Sequence, residues 1–507
     1  EKYRENLLLQ SNNFGTTWAS INVSETGGQS GYDGTNDAWV LTDNTATNIH
    51  ALAQYSSWTT SVCTGSIYVK AGSLSKFYVS NGTSGVGVFF NLSNGSVEGV
   101  TGAVIAQSIT SVGGGWYRLS VTMQSAGTFL IGAYQTFVSG NYNTSTVYTG
   151  TGTGTIYIQS AQLQTGLVAT DYLNSTTTTG KSGVLIDLPR INFDANGENG
   201  ALLLEPSRQN LVQYSEYFGA WTKAPAAITI TQNYGISPEG LKNSARVQFT
   251  SSNQNININT SLGIGVISTG SVYIKGTLGE TIQFDTGGAG ALRTLTGEWQ
   301  RIEVTSTSLS SYLIINTFGG ATARDIEVFG AQCEAASYST SYIPNHGTSG
   351  GVTRAADSCS VTGASDVIGQ TEGTMFYDFN IEDIALQTQD PVLIYLKNSS
   401  GITSYFEMYD NGDLVVVHIN SGSITLTKNG LTDGRHKAAF AYKDNDFAFY
   451  VDGVLAGTNT SFSVASSQTE IGLQYTSAFY TGKQSANQVA LFKERLTNSE
   501  LATLTTL

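Results

Sequence analysis

Asn6-Leu7-Leu8-Leu9-Gln10-Ser11, followed by Phe14 and Trp18, decides the reading of this chain, because it comes back as Asn210-Leu211-Val212-Gln213-Tyr214-Ser215 with Phe218 and Trp221. Three further echoes follow in the same order. Gly65-Ser66-Ile67-Tyr68-Val69-Lys70 returns as Gly270-Ser271-Val272-Tyr273-Ile274-Lys275. Gly115-Trp116-Tyr117-Arg118-Leu119 returns as Gly297-Glu298-Trp299-Gln300-Arg301-Ile302, and Ala161-Gln162-Leu163 with Tyr172 as Ala331-Gln332-Cys333 with Tyr342. The offset between copies is 204 residues at the first match (210 − 6), 205 at the second (270 − 65) and 170 at the last (332 − 162). Strand-like blocks persist while the segments between them change length, as surface loops can and core strands cannot. The period is far too long for a solenoid or propeller repeat, so a whole domain is duplicated. That layout reads as an adhesive or structural β-protein more readily than as a single-site enzyme.

Composition agrees. A chain of 507 residues has room for about three domains. Charged residues make up only 12%, against a typical ~25%. Aromatics at 10%, including 26 Tyr and 21 Phe, exclude a disordered chain, which lacks that much buriable surface. Low charge with many Tyr, Thr, Val and Gly is the profile of pleated sheets. Lys and Arg number 24 against 38 Asp and Glu, a net charge of −14. Such a chain repels nucleic acid and anionic membranes, and no apolar run is long enough to span a bilayer. Neutral, amphipathic partners such as sugars fit better. Cys63, Cys333 and Cys359 lie far apart and show no zinc spacing. Small buried thiols are the expected fate, with a Cys333–Cys359 bridge as the alternative.

Short alternating or apolar runs at 66–69, 77–80, 117–123, 129–133 and 155–159 are bounded by Gly, Asn and Ser clusters, the strand-and-turn rhythm of a sandwich. The expected fold is all-β, with three consecutive β-sandwich (jelly-roll) domains. Module one spans 1–180, a hairpin connector 181–207, module two 208–346, a Gly/Ser/Thr-rich linker 347–363, and a third domain 364–507. The connector carries Asn196-Gly197 between two apolar runs, a hairpin signal. In the third domain Tyr450-Val451-Asp452-Gly453-Val454-Leu455 predicts a tight hairpin. Helix is expected only over 498–504, capped by Thr497 or Asn498 with Glu500 in its first turn.

Pro189-Arg190-Ile191-Asn192-Phe193, Gly200-Ala201-Leu202-Leu203-Leu204-Glu205-Pro206 and Asn210 through Phe218 together resemble a signature of bacteriophage tail-fibre and virion-surface proteins. Ala331-Gln332-Cys333-Glu334, then Thr340-Ser341-Tyr342-Ile343-Pro344, then Thr353-Arg354-Ala355-Ala356-Asp357 resembles the module ending of that group. Its modules are similar to galactose-binding-like, carbohydrate-binding-module sandwiches. The third domain, with Glu372-Gly373-Thr374, the Asp452-Gly453 hairpin and its Leu496-Thr497 to Leu501 ending, is similar to concanavalin A/laminin-G-like lectin domains. Module one departs from the pattern, carrying Leu173-Asn174 after Tyr172 in place of Ile-Pro. The resemblance implies a virion-surface, extracellular location, other virion proteins as partners, a homo-oligomer (a trimer first) and a bacterial surface glycan as ligand.

Candidate chemistry is sparse. None of His50, His346, His418 and His436 neighbours a nucleophile elbow, and sheet-surface roles are expected for His418 and His436. Glu407 with Asp410, or Asp444 with Asp446, are the nearest acid pairs. Glu407 and Asp410 differ by three, so on a strand they face opposite sides. Solvated turn residues are the favoured reading of the acidic loops; a structural calcium ion at Asp33 and Asp37, or at Asp444 and Asp446, is the alternative, and no other cofactor is expected. Sugars stack on exposed aromatic faces while their hydroxyls find polar partners. Trp39 and Trp58, which have no counterparts in module two, and Tyr475, Phe479 and Tyr480 in the third domain are therefore the candidate carbohydrate-binding residues. Trp116/Trp299 and Trp18/Trp221 recur and are expected in the core. The expected function is a non-enzymatic virion protein, a tail or head fibre or adhesin touching host glycans. The alternatives are a purely architectural capsid or tail decoration protein and a polysaccharide depolymerase.

Overall fold

A computed structural model of the chain describes residues 4–55, 61–82, 85–124, 127–182, 189–193, 197–287, 290–318, 322–384, 390–475 and 483–507. The described chain is almost wholly antiparallel β-sheet, in sandwich pairs. In module one the first sheet runs Val104–Gly113, Trp116–Gln124, Val62–Ala71, Thr155–Thr165, Ala38–Asp43, Val23–Gln29. The facing sheet runs Val147–Thr149, Thr47–Tyr55, Thr128–Ala133, Lys76–Ser80, Gly87–Asn91, Ser96–Thr101, with Ala19–Ile21 also beside Thr47–Tyr55. Alternation supplies the core. Ile67, Val69, Leu119 and Val121 point inward, and their neighbours Tyr68, Arg118 and Ser120 point out.

Module two repeats this wiring. Gln300–Thr307, Ile267–Lys275, Arg324–Glu334, Ala245–Phe249 and Thr229–Thr231 form one sheet. Thr222–Ala224, Asn255–Asn259, Tyr312–Asn316, Thr281–Asp285 and Gly290–Thr294 form the other. Among the described residues three strands of module one have no counterpart: Val147–Thr149 beside Thr47–Tyr55, and the consecutive Ser96–Thr101 and Val104–Gly113, which extend one sheet each. The absence of the last two explains why the offset falls from 205 at Gly270 (270 − 65) to 183 at Trp299 (299 − 116).

The same buried polar frame holds both modules. Asn6 donates to the carbonyls of Ala161 and Leu173 and accepts from the N–H groups of Leu8 and Leu163. Asn210 does the same with Ala331, Ile343, Val212 and Cys333. Ser11 meets Tyr172 at 2.7 Å and Ser215 meets Tyr342 at 2.8 Å. Arg118 reaches Ser66 and the Thr170 carbonyl, as Arg301 reaches Ser271 and the Thr340 carbonyl. These bonds tie the first residues of each module to its last long strand.

The third domain packs a seven-stranded sheet on a six-stranded one. The seven-stranded sheet runs Arg190–Asn192, Ala201–Leu204, Gln484–Phe492, Glu372–Ile381, Gly434–Lys443, Phe447–Val451, Val454–Asn459. The other runs Cys359–Thr362, Glu470–Leu473, Val392–Asn398, Gly401–Met408, Leu414–Ile419, Ser423–Lys428. Asp452 (φ 50°) and Gly453 (φ 78°) make the tight turn between their strands, as their left-handed tolerance allows. The helix is Asn498–Thr505, with Thr497 and Glu500 in a reciprocal capping box, and it seats Leu501 on Phe376, Ala439 and Tyr450.

Both stretches expected as connectors are instead parts of sheets. The hairpin is the edge of the third domain's sheet: Leu202 pairs with Ala486, Leu204 with Gln484, and Leu204 enters that core. Within 347–363, Val352–Arg354 closes module two against Arg208–Asn210, as Gly180–Ser182 closes module one against Arg4–Asn6. Cys359–Thr362 then pairs with Glu470–Leu473. An apolar strand will join whichever sheet offers a free edge of the right depth, and local sequence does not say which one does. The thiols divide: Cys63 and Cys333 are buried, with Cys333 pushed up to about 12 by burial, whereas Cys359 is free and exposed.

His418 corrects its expected surface role. It is buried among Phe440, Tyr442, Phe447 and Phe462. Its Nε2 accepts from the Ala465 N–H at 3.1 Å, so the proton sits on Nδ1, 2.8 Å from Ser404 Oγ. Burial pushes its pKa down to about 4. His436 is also buried, and although burial opposes its charge, its 2.7 Å bond to Asp452 raises the pKa.

Two predictions follow from this frame. Asn210→Ala strips four buried groups of their partner and is expected to lower module-two stability by about 2–4 kcal/mol in denaturant unfolding. His418 is neutral when folded and protonates more readily when unfolded, so its contribution is present above the unfolded pKa of 6.5 and lost as pH falls toward about 4. By pH 5 the loss should be on the order of 2 kcal/mol, absent in His418→Asn, and visible as a pH-dependent third-domain melting temperature.

Candidate functional site

The site begins with a buried carboxylate. Glu205 is 1% exposed and accepts from Arg190 Nη1 at 2.6 Å and from Arg354 Nη1 at 3.0 Å through Oε2. Its Oε1 accepts from the Ser341 N–H at 2.9 Å. Asp357 closes the ring, pairing with Arg190 and accepting from the Glu205 N–H at 2.7 Å. Burial alone would raise the Glu205 pKa; Arg354 and Arg190 overcome it and hold the carboxyl below the usual range. This hub joins the hairpin, the end of module two and the segment that leads into the third domain.

So anchored, the hairpin stands beside the outward face of the seven-stranded sheet. Register puts Leu203, Ser485, Asn380 and Arg435 side by side across four strands. The pairing slips between Asp378 and Phe379, and the bulged Asn487 turns its amide onto Asp378 Oδ1 at 3.0 Å. Arg435 grips the same carboxylate with Nε at 2.9 Å and Nη2 at 2.6 Å. Asp378 is buried, which works against ionisation, but the bonds from Arg435 and Asn487 keep its pKa low. Asn192, Phe193 and Asn199 border the other side of the cleft, whose volume is about 540 Å³. Phe193 is 56% exposed.

The result is an open cleft with one bare aromatic face, several amides and one exposed guanidinium already neutralised by its carboxylate. Such a surface can stack on an apolar ring face and bond hydroxyls. Asp378, behind the Arg435 guanidinium, is locked in hydrogen bonds, and the carboxylate that lines the cleft, Glu382, pairs with Lys483 at 2.7 Å. Among the described residues no group of three or more His, Cys, Asp or Glu side chains is placed to hold a metal ion.

The candidates read from the sequence lie elsewhere. Trp39 is half-buried: its Nε1–H donates to the Asn12 carbonyl at 2.9 Å, its ring lies against Gly15 and Gly27, and Phe14 meets it edge-on. Tyr475 packs edge-on against Tyr395 at the six-stranded sheet. Trp58, Phe479 and Tyr480 lie outside the described residues. Asp33 and Asp37 converge on donors, the Thr35 hydroxyl and the Gln159 amide, rather than on an open centre. Asp444 and Asp446 diverge, one to the Val464 N–H and the other to Arg495. Glu407 has its pKa raised by burial and then by Asp390. Trp18 and Trp221 are core residues as expected. Trp116 is buried as expected, packing beside Tyr32, whereas Trp299, just before the Gln300–Thr307 strand, is only partly buried and donates to the Ile236 carbonyl at 3.0 Å. The cleft residues were visible in the sequence only as a run of Asn around Phe193, with no sign of what they would face.

No protein-family model matches this chain, and no curated protein matches it. Among solved structures, the Ruminococcus gnavus IT-sialidase CBM40 bound to α2,3 sialyllactose is 15% identical, over 28% of this chain and 87% of that one, with a TM-score of 0.24. The receptor-binding domain of botulinum neurotoxin mosaic serotype C/D is 9% identical over 29% of this chain and 41% of that one, TM-score 0.24. The binding domain of botulinum neurotoxin DC in complex with SialylT is 11% identical over 29% and 38%, TM-score 0.25. Likeness at this level fixes neither ligand nor function.

The hub can be tested directly. Arg190→Ala leaves Glu205 with Arg354 alone and should cost about 2 kcal/mol. Hydrogen exchange at 201–204 should quicken while 267–275 in module two stays protected.

Proposed function

We propose that this protein is a non-enzymatic glycan-binding protein and that the cleft beneath the hairpin is its sugar-binding face. One observation carries the reading: exposed Phe193 stands beside Asn192, Asn199, Asn380, Asn487 and Arg435 in one open cleft. A pyranose presents an apolar face and a rim of hydroxyls, and this surface offers a partner for each. The Asp378 carboxylate, held ionised by Arg435 and Asn487, serves as a hydrogen-bond framework rather than as a general acid.

The setting comes from the sequence resemblance: a bacteriophage tail or head fibre or adhesin at the virion surface, contacting bacterial glycans and neighbouring virion proteins. Weak individual sites, multiplied by assembly on a particle, would then give firm attachment. Calcium has no part in this binding mode.

A glycan array probed with the full chain tests the reading. Binding to a defined set of bacterial surface sugars is expected, surviving a chelator and falling about tenfold in Phe193→Ala, the loss of one stacking contact of roughly 1.4 kcal/mol. Absence of binding favours the architectural alternative, and release of reducing ends from host polysaccharide would replace the non-enzymatic reading with a depolymerase.

A further inference from the structure

The two modules differ at one matching end. In module one, Val62 and Gln124 pair at the tip of the first sheet, where module two covers Val62 and bonds the exposed Gln124. The Val62 N–H donates to the His346 carbonyl at 2.7 Å, and Gln124 donates to the Tyr214 hydroxyl at 2.9 Å. Nearby, Asn233 donates to the Leu167 carbonyl at 2.8 Å. Val62 is 1% exposed. The matching pair in module two is Ile267 and Thr307. There Ile267 is 51% exposed, Ile264 75% and Leu309 69%. This tip is well ordered: Gly265 donates to the Ser308 carbonyl, Ser308 to the Val266 carbonyl and the Ser308 hydroxyl to the Gly263 carbonyl. Ile267 is thus bare where its counterpart Val62 is buried, and Ile264 and Leu309 stand beside it in a braced apolar knob.

The receiving surface is duplicated too. Tyr214 and His346 form a bridge next to the Ser215–Asn345 bonds. In module one the Ser11–Ser175 bonds repeat these, so Gln10 and Thr176 stand where Tyr214 and His346 stand, and Thr176 is exposed. Among the described residues each chain therefore carries one used tip and one used ledge, with an unused tip on module two and an unused ledge on module one.

We propose that copies of this chain associate head to tail, the Ile264–Leu309 tip of one copy docking on the Gln10–Thr176 ledge of the next and repeating between chains the contact made within each. The occupant is a second copy because the template contact joins two modules of this kind. A contact between unlike surfaces extends into a filament or closes into a ring.

Sedimentation velocity of the full chain tests this. Wild type should show a sedimentation coefficient rising with concentration over about 1–100 μM, the range of modest protein interfaces. Ile264→Asp with Leu309→Asp, and separately Thr176→Arg, should each sediment as monomer while melting like wild type. Mixing the two variants should restore dimers and nothing larger, since one copy keeps a sound ledge and the other a sound tip. A monomeric wild type, tip variants that associate like wild type, or an unaffected Thr176→Arg with no dimer on mixing would each overturn the proposal.

Discussion

The architecture around the cleft turns on an ion kept out of water. Glu205 costs several kcal/mol to bury as a carboxylate, and only the two guanidiniums of Arg190 and Arg354, with the Ser341 and Asp357 bonds, make that burial tolerable. None of these groups is close to all the others in sequence. The hub therefore forms only when the hairpin, the end of module two and the segment before the third domain arrive together. With the strand pairing of Leu202 and Leu204, it sets where Asn192 and Phe193 stand.

A second constraint acts inside each module. Asn6 and Asn210 each satisfy two carbonyls and two N–H groups, locking the entering chain onto the last long strand. Such a frame tolerates change elsewhere. Module one carries three extra strands, two on one sheet and one on the other, without disturbing it. The same economy leaves module two with a barer surface, including Ile267, whose counterpart Val62 is buried in module one.

Duplication, the sandwich rhythm, the Asp452-Gly453 turn and the capped final helix were legible, because each rests on local spacing or on residues whose backbone preferences are their own. The misreadings share a cause. His418 looks like a strand-surface residue until the sheet's other face is known, and then Ser404 and Ala465 are found satisfying both its nitrogens. Trp299 repeats the buried Trp116, but recurrence marks a shared place in the chain rather than an equal depth, and Trp299 stays partly exposed. Trp39 looked unmatched and available; Asn12, Gly15 and Gly27 occupy it.

By itself the amino-acid order determined that this is a low-charge, all-β chain with one domain copied, since periodicity, composition and repetition are properties of the string. Which sheet the Ala201–Leu204 strand would join, which of its acids would be buried, and that Phe193 would border a cleft floored by Asn380 and Arg435 were decided only in three dimensions. Those outcomes depend on which strand edge is free and which charges can be neutralised together, and both are set by residues as far apart as Arg190 and Asp357.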